Sequence, residues 1–267
     1  MFQSIGFIGT GNMGSAVAKA VSASGLAKEL LLANRTPEKA QALCAQLSGA
    51  RTATNLKIAE TCDLIFLGVK PQMMGDMLRE IAPVLAARSG RFVLVTMAAG
   101  LSCRRIQEMA GGSYPVIRMM PNTPCAIGAG VVQYCGLDVG LEELESFAAL
   151  LAPAGLVDYV DEKFIDAASA VSGCGPAFAY LFIEALADGG VACGLPRDKA
   201  LAYATQMLAG SAQMVLESGK HPGALKDAVC SPGGTTIQGV RALEEGGFRA
   251  AAMNAVIAAY EKTLQLK

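Results

Sequence analysis

The sequence predicts a chain in two parts, a parallel α/β sheet covered on both faces followed by an all-helical half. Three observations predict it. Short uninterrupted apolar runs alternate with helical stretches through the first half, as expected of strands buried on both faces. A glycine-rich turn follows the first of those runs at once. Beyond about residue 160 the strand runs stop, and helices separated by Gly-Gly, Gly-Leu-Pro and His-Pro-Gly breaks replace them.

Residues 4–8 form a strand, Ser15–Ser24 a helix ending at Gly25, residues 30–33 a strand and Pro37–Leu47 a helix. A short strand at 51–54 precedes a strong one at 63–69; strands at 91–96 and 115–119 follow, with helices at 73–86 and 102–109 between them. The second half reads as helices at 161–171, 176–191, 197–218, 223–229, 235–245 and 248–265. The expected division is therefore a sheet domain at 1–157 and a helical domain at 158–267.

Composition narrows the function. The 22 Lys+Arg against 23 Asp+Glu give a net charge of −1, which argues against nucleic-acid binding because phosphate recognition needs a basic excess. Hydrophobic residues make up 52% and charged residues only 17%, against about 25% charged in a typical soluble chain. Such a chain folds, but has little polar surface with which to cover a monomer. The eight cysteines contain no Cys-x-x-Cys pair, and with His221 the only histidine a Cys/His zinc cluster is not expected. Reduced, mostly buried thiols in a cytoplasmic protein are the expectation, with no metal. The opening Met-Phe-Gln-Ser carries no charge and lies close before Gly9, so a removable leader is not expected. The uncharged stretch between Asp166 and Glu184 falls short of the roughly 20 residues of a spanning helix, so no membrane is expected.

Gly9-x-Gly11-x-x-Gly14 follows a strand and opens a helix, which is where a dinucleotide diphosphate binds. The first glycine permits the turn, the second lets a diphosphate approach, and the third lets helix and strand pack closely. Asn12 and Met13 begin the helix whose free N–H groups face that diphosphate. The first half is thus a Rossmann-like doubly wound sheet.

After the second strand an NAD site would carry Asp or Glu; this chain has Asn34-Arg35-Thr36. A guanidinium bonds a 2′-phosphate that a carboxylate would repel, so NADPH is the expected cofactor, with NADH still admissible. Thr36 also reads as the cap of the helix from Pro37, a role compatible with phosphate binding. The loops Val69-Lys70-Pro71 and Met97-Ala98-Ala99, with Asn122, end three more strands and should wall the cofactor. Lys70 reads either as a general acid or as an anion contact, and Asn122 as a ribose or amide partner.

A second stretch, Ser231-Pro232-Gly233-Gly234-Thr235-Thr236, opens the helix at 235–245 with flanking glycines and hydroxyls. It reads either as an anion site for a small carboxylate or as an ordinary cap by Ser231 or Thr235. His221 reads as a turn residue, and Glu184 with Asp188 as surface or interhelical carboxylates.

That stretch, with His221-Pro222-Gly223, Lys226-Asp227, Val69-Lys70-Pro71, Met120-Pro121-Asn122-Thr123-Pro124 and Ser172-Gly173-x-Gly175-Pro176, resembles the pyrroline-5-carboxylate reductase family across nearly the whole chain. Cys174 departs from the serine that many relatives carry. The resemblance implies NAD(P)H-dependent reduction of 1-pyrroline-5-carboxylate to L-proline, and a C-terminal helical dimerisation domain. It implies that Ser231, Gly233, Gly234 and Thr235 surround the substrate carboxylate and that Thr236 meets the ring nitrogen as the catalytic residue. It also implies that Asn55 contacts the adenosine side of the cofactor. A β-hydroxyacid dehydrogenase, the nearest rival, would need a lysine after the domain junction, and residues 166–191 contain none. The apolar segment Phe164–Leu195 carries only Asp166, Glu184 and Asp188 as charges, which predicts an obligate homodimer open to further assembly.

Overall fold

The computed structural model describes residues 2–266. Two compact units divide it, one holding residues up to 174 together with the stretch from 259 onward, the other residues 175–258.

In the first unit, strands and helices alternate: β1 (Ser4–Ile8), α1 (Asn12–Ala23), β2 (Glu29–Ala33), α2 (Pro37–Cys44), β3 (Ala50–Thr52), α3 (Asn55–Thr61), β4 (Leu64–Leu67), α4 (Pro71–Ala87), β5 (Val93–Thr96), α5 (Cys103–Ala110), β6 (Val116–Pro121), β7 (Gly130–Leu137), α6 (Leu141–Leu151), β8 (Gly155–Tyr159) and α7 (Glu162–Ser172). The eight strands form one sheet in the order β3-β2-β1-β4-β5-β6-β7-β8. The strands from β1 to β6 run parallel, so their carboxyl ends share one edge. Strand order reverses between β1 and β4, the place where such sheets bind ligands.

Each face of this sheet buries its own apolar cluster. On one side Phe7 stacks on Phe66 with ring centroids 4.3 Å apart, and Phe147 of α6 completes the layer. On the other, Ile58 of α3, Met74, Leu78 and Ile81 of α4, Ile106 of α5 and Ile165 of α7 cover Ile65 and Leu94. Burying each such side chain contributes roughly 1.5–3 kcal/mol. The continuous apolar strands are explained by this double cover.

Three features correct the sequence expectation. Strand β7 pairs antiparallel with β6, and β8 extends the sheet parallel to β7. The connection at 122–129 is too short for a parallel crossover, which needs about a dozen residues or more. Helix α3 opens at Asn55, where the sequence reading places no helix; its N-cap Thr54 accepts a bond from the Lys57 N–H. The expected boundary at 157/158 falls inside β8, and α7 belongs with the sheet unit.

That placement of α7 has a polar reason. Arg118 of β6 is 2% exposed and pairs with Asp166 of α7, while its Nη1 lies 3.6 Å from Glu162. Asn122 and Gln133 bond the carbonyl and hydroxyl of Ser172, clamping the other end of the same helix.

The second unit holds α8 (Gly175–Ala192), α9 (Arg197–Ser218), α10 (Pro222–Ala228), α11 (Thr235–Glu245) and most of α12 (Phe248–Leu264), all as expected from the sequence to within a residue or two. Among its described residues only Ala187, Ala200 and Ala204 are buried apolar side chains. Tyr180, Leu181, Tyr203, Leu216 and Met253 are each at least 60% exposed. By length and composition alone the 162–192 stretch would suffice to cross a membrane, which corrects the expectation that the uncharged span is too short.

Candidate active site

The glycine turn is built by close backbone approach. Gly9, at φ +102°, donates to the Ala33 carbonyl at 2.9 Å, and the Gly68 N–H bonds the Ile8 carbonyl at 2.8 Å. A Cβ on Gly14 would lie 2.3 Å from the Gly9 carbonyl oxygen, and one on Gly68 2.2 Å from the same atom. Three backbone segments therefore converge where no side chain fits. Gly11 is different: nothing lies within 4 Å of where its Cβ would be, so the space above the start of α1 is open.

The end of α1 suits a diphosphate. Gly11 caps it without a side-chain bond, and its first turn holds no acidic residue. Its leading N–H groups and positive end are left to a ligand. Thr10, 4% exposed in the same turn, has a hydroxyl with no partner among the described residues. These residues fit a dinucleotide.

A cavity of about 470 Å³ beside this turn brings together Gly9, Gly11, Asn34, Arg35, Asn55, Val69 and Lys70, seven of the expected cofactor residues. Arg35 is exposed, its guanidinium 4.0 Å from the Met73 sulfur. Thr36 occupies the N-cap of α2, but its hydroxyl makes no cap bond and stays available. Asn34 braces the turn: its Oδ1 accepts from the Thr10 N–H at 3.3 Å and its Nδ2 donates to the Thr36 carbonyl. Lys70 is the exposed N-cap of α4, followed by Pro71 at the first helical position.

Other expected residues lie elsewhere. Asn12 lines a neighbouring cavity with Ser15, Lys19 and Lys39. Met97, Ala98 and Ala99 follow β5 on the same sheet edge, with the Ala98 N–H bonded to the Thr96 hydroxyl at 3.2 Å. Asn122, expected as a ribose or amide partner, follows the end of β6 on the same sheet edge. It is 7% exposed; its Oδ1 accepts from the Val131 N–H at 2.9 Å and its Nδ2 donates to Ser172. The side chain holds the β6–β7 turn.

Sequence reasoning missed one wall of the cavity, the face of α4 bearing Met73, Asp76, Met77 and Glu80. Their spacing marks one side of a helix following Lys70-Pro71. Glu80 accepts a 3.1 Å bond from Asn55 Nδ2, fixing that amide at the cavity rim.

The second unit carries the other constellation. Gly234 caps α11 with no side-chain bond, no acidic residue sits in the first turn, and Gly233 stands at φ +69° where L side chains are strained. Ser231, Gly233, Thr235 and Thr236 are exposed. Neither Ser231 nor Thr235 acts as the cap, which disposes of the ordinary-cap reading. The helix end presents unsatisfied N–H groups and free hydroxyls, the chemistry of a carboxylate site. Just upstream, Lys226 is raised above its ordinary pKa by its bond to Asp227. His221 is a structural cap, its Nδ1 accepting from the Gly223 N–H at 3.0 Å.

Known proteins match both halves. A family model described as pyrroline-5-carboxylate reductase dimerisation matches residues 162–266, and one described as NADP oxidoreductase, coenzyme F420-dependent, matches residues 4–100. The chain is 42% identical to pyrroline-5-carboxylate reductase of Pisum sativum over 98% of its own length and 95% of that protein. It is 40% identical to the protein of the same name from Escherichia coli (strain K12), over 100% of this chain and 99% of that one. The solved structure of Plasmodium falciparum pyrroline carboxylate reductase with NADP bound matches with a TM-score of 0.86 and 34% identity, over 99% of this chain and 98% of that one. Sheet, glycine turn and matches together define a nicotinamide-dependent oxidoreductase with a helical dimerisation domain. The chain belongs to the pyrroline-5-carboxylate reductase family.

Proposed function

We propose that the chain reduces 1-pyrroline-5-carboxylate to L-proline, the last step of proline synthesis, with NADPH preferred over NADH. The observation that carries this reading is the open start of α11, where N–H groups and the hydroxyls of Ser231, Thr235 and Thr236 are free for a small carboxylate and its neighbouring ring nitrogen. The cofactor, when bound, supplies the hydride that becomes the new C–H bond, and the imine nitrogen gains a proton. Gly233, Gly234 and Thr235 hold the carboxylate, and Thr236 orients the nitrogen and relays a proton from water. A threonine hydroxyl is too weak an acid to protonate the ring unaided. Holding the ring in line therefore supplies much of the rate.

The NADPH preference rests on Arg35, exposed at the cavity beside the free Thr36 hydroxyl, with no carboxylate at the end of β2. One charge-assisted hydrogen bond is worth about 1.5–3 kcal/mol. With substrate saturating, Arg35→Ala raises the KM for NADPH at least about tenfold and leaves that for NADH unchanged. Equal losses for both cofactors would remove Arg35 from the 2′-phosphate.

The partner is a second copy of the chain, and the assembly is obligate. The dimerisation model covers 162–266, the same segment whose apolar side chains lie exposed. Asp166, Glu184 and Asp188 within it favour a protein partner over a bilayer. Free thiols at all eight cysteines accord with a cytoplasmic location.

A further inference from the structure

We propose that Cys103, Cys135 and Glu162 form a binding site for one thiophilic divalent ion, zinc or cadmium by chemistry, away from the cofactor cavity. The three residues come from the start of α5, from β7 and from the start of α7. One ligand atom from each lies within 4.8 Å of the others. The two sulfurs are 4.0 Å apart. Tetrahedral zinc with bonds of about 2.3 Å separates its sulfurs by about 3.8 Å, so little movement is required. Cys103 and Cys135 are 1% and 3% exposed, and neither belongs to the nicotinamide or carboxylate constellations.

Glu162 is already held in place. It accepts the Cys103 N–H at 2.7 Å and stands 3.6 Å from Arg118 Nη1, an arrangement that orients a ligating carboxylate from behind. It also lines a cavity of about 480 Å³ with Ser102, Arg105, Arg118, Lys163 and Asp166, which leaves room beside the carboxylate for a water as fourth ligand. Charge balances as well. On binding, both thiols release their protons to solvent and form two metal–sulfur bonds. The divalent charge cancels the two thiolates, so the buried cluster with Arg118, Glu162 and Asp166 keeps its formal charge. No electron is transferred.

The test is titration of the reduced full-length protein, freed of thiol reagents, with cadmium chloride, following the thiolate-to-cadmium charge-transfer band in the ultraviolet. The expected result is one ion per chain, with two sulfurs in its shell by X-ray absorption. The band is lost in Cys103→Ser and in Cys135→Ser and is retained in Cys193→Ser and Cys44→Ser. Glu162→Gln weakens binding at least about tenfold. A wild-type protein showing no saturable band, or an ion with fewer than two sulfurs, overturns the proposal whatever the variants do. So does a band that survives in a folded Cys135→Ser.

Discussion

Thr236→Ala is expected to lower turnover about a hundredfold while leaving the affinity for NADPH within about a factor of two, because positioned proton transfer is typically worth 10²-fold or more. The residue is the second of α11, exposed, and its hydroxyl caps nothing, so its loss removes no fold contact that the structure records. The cofactor constellation lies in the other unit, on the carboxyl edge of the sheet. A residue acting at the imine nitrogen therefore affects the chemical step and spares cofactor binding. Thr236→Ser, which keeps the hydroxyl, restores most of the rate. Unchanged turnover in Thr236→Ala would remove the residue from the mechanism, and an equal loss in the serine variant would show that the methyl group matters rather than the proton.

Dilution is expected to unfold the helical unit rather than release a folded monomer. Its described residues bury only three alanines as apolar side chains, whereas Leu181 is 67% and Leu216 77% exposed. Monomers do not keep apolar surface on this scale in water. Obligate interfaces typically bury about 2,000 Å² or more, and folding and association then become one equilibrium. Sedimentation should give a dimer or a multiple of it at micromolar concentration, with helical circular dichroism falling as the oligomer dissociates. A folded, active monomer at that concentration would contradict the obligate assembly.

Much of this molecule was legible from one sequence because its signals are local. The apolar runs of β1, β2, β4, β5 and β6 need no partner to be recognised, since burial on both faces leaves no polar alternation. The turn from Gly9 to Gly14 and the stretch from Ser231 to Thr236 likewise carry their chemistry within a few consecutive residues. What the sequence concealed is non-local. Strand β7 includes Gln133 and two glycines, so it lacks the apolar run of its neighbours, and only pairing with β6 makes it a strand. Glu80 reaches Asn55 across 25 residues, Asp166 meets Arg118 across 48, and Cys103 meets Cys135 across 32. Asn122 reads as a ligand from its edge position, whereas its bonds to Val131 of β7 and Ser172 of α7, 9 and 50 residues away, are contacts that edge position alone does not reveal.

The central claim is that this pairing of a dinucleotide turn with an open carboxylate-binding helix end reduces a cyclic imine. It is tested most directly by NADPH absorbance during incubation of the purified protein with racemic 1-pyrroline-5-carboxylate, with proline measured at the end. One NADPH is expected to be oxidised for each L-proline formed, from the L half of the substrate. No oxidation with both cofactor and substrate saturating would contradict it, and would leave a nucleotide-binding protein that does not perform this reaction.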